Sequence, residues 1–409
     1  MKVAADVTRR IVFRALGGLR GGELVLHYPD GRGRRFGDAA GPRVAVDVHR
    51  PDAFWRKLAL RTKVGFGESY VDGDWDADDL VALFELLSRN LAAVTRNPWV
   101  ARLYRLQELR PHRPPRQTPE TARRSIHAHY DLGNDLFRLM LDPTMTYSCA
   151  YWERPGMTLE EAQVAKYRAI CEKLLLRPDE HLLEIGCGWG GFAIHAAREH
   201  GCRVTGVTIS RAQCELARQR VREAGLEELV EIREQDYRLV DGTFTRVASI
   251  EMLEAIGHDE HETYFATIDR LLAPEGIAVV QTIAIPDDRF ERYRRTPDWI
   301  QQYVFPGSLI PSLDAVSRAV ARSRLMIVGL EEIGIGYAET LRAWRQNVDA
   351  RVDEVRALGY DERFLRIWRF YLSYCEAAFR VRSLRDIQLV LTRALNGSLP
   401  RFPRERVTF

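Results

Sequence analysis

The chain of 409 residues is longer than one hydrophobic core normally supports, which predicts a large domain and a smaller one. Its 60 basic residues are nearly balanced by 57 acidic ones, and a net charge of +3 excludes a nucleic-acid partner held by overall charge. No run reaches the roughly 18–20 apolar residues that span a bilayer, and six cysteines without a CxxC pair predict a reduced, cytoplasmic protein with no disulfide framework.

Residues 1–110 read as a small α+β domain. In its first helix Val7, Ile11, Val12, Ala15, Leu16 and Leu19 share one side, and Arg9, Arg10, Arg14 and Arg20 the other. Such a helix either lies on an anionic membrane or docks on its own domain with its arginines in water. Residues 96–124 carry eight arginines against Glu108 and Glu120, and Pro111, Pro114, Pro115 and Pro119 make 111–125 a stiff linker. These arginines meet either phospholipid head groups or only solvent. The membrane reading makes the protein peripheral at the inner membrane face.

Residues 126–409 form the second domain. Its histidines at 127, 129, 258 and 261 have neither HExxH spacing nor cysteine partners, so no metal site is expected. From Glu160 onward helix and strand alternate. A helix near 160–176 precedes strands at 181–186, 202–209, 229–235, 245–252 and 276–285, with further strands near 325–333 and 386–394. The pattern predicts a Rossmann-like, doubly wound α/β sheet with its ligand beyond the carboxyl ends of the strands.

The first of these strands carries Glu184 into a turn with glycines at 186, 188 and 190, where the backbone can turn tightly and approach a ligand. A nicotinamide-binding fold expects an acid at the end of the next strand to hold a ribose. That strand ends instead in Thr208, Ile209 and Ser210, and the third ends at Gln235 and Asp236. S-adenosylmethionine is the ligand this favours. Its expected contacts are Tyr147, Ser148, Glu184, Gly186, Gly188, Gly190, Thr208, Ile209, Ser210, Gln235 and Asp236, with Gln213 added one helical turn after Ser210.

Several further motifs lie around this turn: GESYVDGDWD at 67–76, HYDLGNDLF at 129–137, LDPTMTYSCAYW at 141–152, EMLEAIG at 251–257, FPG at 305–307 and GYAETLRAW at 336–344. Together with GVTIS at 206–210 they resemble the cyclopropane-fatty-acid synthase family, which includes the mycolic-acid methyltransferases, over nearly the whole chain. The resemblance implies a class I methyltransferase sheet with a small N-terminal α+β domain. It also implies S-adenosylmethionine as methyl donor and the cis double bond of an oleoyl-like phospholipid chain as acceptor. The alkene is then the nucleophile, and the site must shelter a carbocation-like species and remove a proton. Aromatic faces stabilise positive charge without trapping it, and Tyr130, Tyr147, Tyr151 and Trp152 are the candidates, with core packing as their alternative role.

For proton removal the resemblance implies a bound bicarbonate held by Cys149, Glu254, Tyr337 and the backbone of Ile283. Gln281 stands where the family has histidine, and glutamine donates a hydrogen bond but does not titrate near neutrality. Cys149 is not expected to act as a covalent nucleophile, since no basic neighbour activates it and an alkene offers no electrophile. The QTI sequence and the insertion at 286–307 resemble the branch that forms 10-methylene acyl chains on the way to tuberculostearic acid. In that branch a hydride shift precedes proton loss; without the shift a cyclopropane closes, which is the alternative product. A neutral amide at 281 is expected to prolong the cation and so favour the shift. A separate reductase would then act on the methylene, and a homodimer is expected. The other readings are a small-molecule O- or N-methyltransferase and a non-catalytic lipid binder. The first wants a deprotonating histidine at its substrate, and the second is opposed by the intact glycine turn, Asp236 and Glu254.

Overall fold

The structure, a computed structural model, describes residues 2–96, 133–296 and 298–399, without the side chains of 2–4 and 92–96. The linker at 111–125, most of the arginine-rich stretch, His127, His129 and Tyr130 lie outside the described residues. The described chain groups into two compact units: residues 2–96, 285–308 and 334–385 in one, and 133–284, 309–333 and 386–399 in the other.

The first unit carries a four-stranded sheet of β1 (Glu23–His27), β2 (Gly33–Gly37), β3 (Arg43–Val48) and β4 (Trp75–Ala77), in the order β2-β1-β3-β4. Its first helix, Lys2–Leu16, is docked on this unit, as the second of the two sequence readings has it. Ala15, Leu16 and the following Leu19 are buried, Phe13 meets Trp55 edge-on at 5.3 Å, and Arg9, Arg10, Arg14 and Arg20 are exposed.

The sequence reading assigned 285–308 and 334–385 to the C-terminal domain, whereas packing groups them with 2–96. The reason lies in the 67–76 motif. Trp299 packs so closely on Gly67 that a Cβ there would stand 2.4 Å from its ring. Arg366, on the helix Glu362–Arg380, donates to the carbonyls of Tyr70 and Trp75 and to the Asp76 carboxylate. The same unit holds a cavity of about 700 Å³ lined by Arg50, Lys57, Asp72, Asp74 and Arg366 among others; Lys57 is paired there with Asp72 and Asp74, and no expected site residue lines it.

The second unit is the predicted α/β sheet. Its strands are β5 (His181–Ile185), β6 (Arg203–Thr208), β7 (Val230–Glu234), β8 (Phe244–Ile250), β9 (Leu272–Ala284), β10 (Leu325–Glu332) and β11 (Arg385–Arg393), in the order β10-β11-β9-β8-β5-β6-β7. Pairings from β7 through β6, β5 and β8 to β9 are all parallel, and β10 pairs antiparallel with β11. Alternation along β5 sends Leu183 and Ile185 into one buried cluster and Leu182 into another, so the strand is covered on both faces as a parallel sheet requires. The chain leaves β5 for β6 on one side and returns to β8 on the other. That reversal places a crevice at the carboxyl ends of β5 and β8.

Candidate active site

The turn after β5 is built for close approach. Gly186, Gly188 and Gly190 have φ of +82°, +52° and +79°, a region costly for residues with a Cβ. The amides of Gly186 and Cys187 donate to the Val207 carbonyl, which ties the turn to β6. A Cβ on Gly186 would stand 2.9 Å from the Met252 side chain, so the loop after β8 closes directly over the turn. Glu184 is buried on β5 and its Oε2 has no hydrogen-bond partner among the described residues. Burial pushes its carboxyl well above the usual range, and only Lys166 and the Ala193 backbone pull it down. An orphaned acceptor at the edge of a glycine cradle fits a ligand bearing hydroxyls or an amine, as S-adenosylmethionine does.

Thr208 and Ser210 stand at the carboxyl end of β6, joined by Ile209. The Ser210 hydroxyl caps the helix Arg211–Glu223 by accepting from the Gln213 amide, and the Thr208 hydroxyl donates to the Gln213 side chain at 2.9 Å. Gln213 is thereby held at the carboxyl end of β6. Gln235 donates to the Leu239 carbonyl. Asp236 is buried and holds Arg238 through both carboxylate oxygens, at 2.9 and 2.7 Å. It sits where the sequence places it, already engaged by an arginine. Tyr147 is half-buried against Phe137. The Ser148 hydroxyl accepts from Lys166 at 2.5 Å, a fully buried amine that burial lowers to about 8.

A second constellation gathers at the carboxyl ends of β8 and β9. Glu254 follows β8 in a single turn of 3-10 helix, Leu253–Ala255. Its Oε1 accepts from the Thr282 hydroxyl at 2.8 Å and from the Ile283 amide, while Oε2 is buried with no partner among the described residues. Burial and the neighbouring Glu251 push its carboxyl up to about 8. Gln281 is fully buried. Its amide nitrogen donates to Glu251 at 2.8 Å and to Asp386 at 3.0 Å, and its oxygen accepts from Gln388 at 2.9 Å. The Cys149 amide donates to Glu251 at 2.7 Å. The Cys149 thiol is pushed far up by burial and by Asp386 and Glu251, which keeps it neutral.

Structure thus brings Cys149, Glu254, Gln281 and Ile283 together within one unit. Tyr337 belongs to the other, where it is buried with its ring stacked on Phe379 at 4.5 Å. The Tyr151 hydroxyl donates to Glu331 on β10 at 2.5 Å, and Trp152 is half-buried. Glu251, Asp386, Gln388 and Lys166 went unassigned in the sequence. Glu251 was in view as the first letter of EMLEAIG, and Lys166 as a charge at a core position of its helix; Asp386 and Gln388 left no local signal. Among the described residues no group of His, Cys, Asp and Glu is placed to hold a metal ion. The residues do not fit the bicarbonate that the resemblance implies: its donors, the amides of Cys149 and Ile283 and the Gln281 side chain, already serve Glu251 and Glu254.

Residues 117–389 match the family described as mycolic acid cyclopropane synthetase. The tuberculostearic acid methyltransferase UfaA1 of Mycobacterium tuberculosis is 40% identical over 90% of this chain and 88% of its own. The cyclopropane-fatty-acyl-phospholipid synthase of Escherichia coli K12 is 37% identical over 87% of this chain and 89% of its own. Among solved structures, the mycolic acid cyclopropane synthase CmaA1 complexed with SAH and CTAB superposes with a TM-score of 0.62 at 31% identity, covering 66% of this chain and 98% of that one.

Proposed function

The chain belongs to the mycolic acid cyclopropane synthetase family, and from that premise we propose that it methylates the cis double bond of unsaturated, oleoyl-like acyl chains in membrane phospholipids, leaving a 10-methylene branch. The observation that carries this reading is the cluster of Glu251, Glu254 and Gln281 at the carboxyl ends of β8 and β9, joined to the glycine turn through Met252. A buried wall of carboxyl groups favours a cation and offers a place for its proton. A small-molecule O- or N-methyltransferase has no need of it.

S-adenosylmethionine supplies the methyl group when bound, and Glu184, the glycines at 186–190, Ser210 and Gln213 are placed to hold it. Glu254 presents an unpartnered carboxylate oxygen, and Thr282 and Ile283 fix its other oxygen so that it does not swing away. Gln281 is locked by Gln388, Asp386 and Glu251 and supplies a neutral donor, which is the feature we associate with the longer-lived cation and the methylene product. Cyclopropane closure on the same substrate is the second reading, favoured by the likeness to the Escherichia coli synthase. A methylene product would call for a reductase as the next catalyst.

Mass spectrometry of lipids from a host fed oleate and expressing the chain tests the proposal. A methylene-branched acyl chain is expected; cyclopropane alone supports the second reading, and unmodified oleate rejects both. No helix among the described residues is long and apolar enough to cross a membrane. We propose peripheral attachment at the inner face through the exposed Arg9, Arg10, Arg14 and Arg20. Each such charge contributes about 1 kcal/mol at an anionic surface, so sedimentation with anionic vesicles should fall steeply as salt is added, and salt-insensitive binding rejects the idea.

A further inference from the structure

We propose that Glu251 is the proton-accepting residue of this reaction, its carboxylate standing in the place that the family resemblance gives to bicarbonate, so that turnover requires no added bicarbonate. The inference rests on the function proposed above and adds the identity of its base.

Four observations lead to it. Glu251 Oε1 receives the Cys149 amide at 2.7 Å and the Gln281 side chain at 2.8 Å, two of the donors expected around the bound anion. A carboxyl oxygen is therefore already in that cradle, and a bound anion would have to displace it. The backbone at Glu251 has φ of +50°, a conformation that side-chain-bearing residues adopt rarely and that recurs where function holds it. It is held here by the Glu251 amide, which donates to the Gln281 carbonyl at 2.9 Å. Among the three carboxyl groups of the cluster, Asp386 is fully buried and Glu254 nearly so, whereas Glu251 is half-buried and open to an incoming molecule. Finally, the next residue, Met252, lies over Gly186, which sets this carboxylate beside the cofactor turn.

The step balances without an outside reagent. The alkene π pair forms the new bond to the transferred methyl carbon, and the pair of the broken carbon–sulfur bond stays on sulfur. The acyl chain is left with a carbocation. Glu251 takes one proton from the added methyl group, and the freed C–H pair either closes the ring or, after a hydride shift, forms the exocyclic double bond. Asp386 lies beside Glu251 with one oxygen unpartnered among the described residues, and its carboxyl is raised by burial and by Glu251, so it stays protonated and leaves the acceptor role to its neighbour.

The test uses the full chain with S-adenosylmethionine and oleoyl phosphatidylglycerol vesicles, in CO2-free buffer with and without bicarbonate. Release of S-adenosylhomocysteine and the acyl products are both measured. Wild type should turn over equally in both buffers. Glu251→Gly, which suits the positive φ and so should keep the fold, should lose on the order of 100-fold or more in rate. Added bicarbonate should restore much of that loss by filling the vacated cradle, a rescue that a merely structural role would not give. Glu251→Gln should lose as much and not be rescued, with binding of S-adenosylhomocysteine unchanged by calorimetry. The proposal is overturned if wild type works only with bicarbonate, or if Glu251→Gly keeps the wild-type rate without it. Failure of the underlying function looks different: wild type would then give no altered lipid in either buffer.

Discussion

The two halves of the site in the second unit are made of different material. Around the cofactor turn the backbone does most of the work, with three glycines at positive φ and amides pinned to β6, and Glu184 is the one buried acid on its strand. Around Glu254 the work is done by side chains, with three carboxyl groups and two amides packed where water is scarce. A backbone cradle is cheap to keep and hard to tune. A cluster of buried acids costs stability, since each buried acid must either keep its proton or hold a charge away from water, and it is tunable for the same reason.

The sharpest way to break this contrast is a change that removes charge without changing shape. Glu254→Gln keeps the hydrogen bond from Thr282 but removes the carboxylate that faces the cation above about pH 8, where this group ionises, so the comparison is made there. With that charge lost, turnover should fall on the order of 100-fold, while calorimetric binding of S-adenosylhomocysteine stays at the wild-type value. An equal loss of binding and rate would mean that the two halves are one site energetically.

Changes at the turn should show the opposite split, in binding rather than in chemistry. Gly186→Ala forces a Cβ into a residue at φ +82° and toward Met252 at 2.9 Å. The left-handed conformation alone costs roughly 1–2 kcal/mol, and a free turn that relaxes to escape this strain must take it up again on binding, about a tenfold loss of affinity. Gly188→Ala meets open space, with nothing within 4 Å, and carries only the conformational cost at φ +52°. The ratio of the two cofactor affinities measures how firmly the loop after β8 presses on the turn. Equal affinities would show that Met252 yields freely.

These halves also differ in how far they could be read from the amino-acid order. The glycine turn, Glu184, Ser210 and Gln213 are local: a strand, a turn and a helix start supply them within about one supersecondary unit, and the sheet that carries them was predicted from the same alternation. The acid cluster draws on residues 251, 281 and 386, which only the strand order β11-β9-β8 brings together, and on Cys149 from the segment ahead of the sheet. Glu254, Cys149, Gln281 and Ile283 were reached through the family resemblance rather than through any spacing. Asp386 and Gln388 could not be found at all, because a polar residue inside an otherwise apolar strand looks the same whether it pairs with Gln281 or turns to solvent. The grouping of 285–308 with the first unit was hidden for a similar reason, since it rests on Trp299 finding Gly67 across more than two hundred residues.

The smallest effect expected is on stability, and it separates the cluster's two kinds of buried charge by sign. Glu254 is raised to about 8 by burial and by Glu251, against roughly 4.3 in an unfolded chain. A group raised in the fold contributes stability that is complete below the unfolded value and is lost as pH climbs through the folded one. Lys166 is lowered to about 8 by burial, against the attraction of Glu251. Its contribution is complete above the unfolded value, roughly 10.4, and is lost as pH falls through about 8. Between about pH 6 and about pH 9 the thermal midpoint of Glu254→Gln should therefore rise relative to wild type, and that of Lys166→Met should fall relative to wild type. Each kcal/mol corresponds to about 2–4 °C in a domain of this size, within reach of calorimetry. Differences from wild type that stay flat for both variants across this range would mean that neither group changes its protonation there. The buried wall would then carry its charges fixed, and the pH dependence of turnover would have to come from elsewhere.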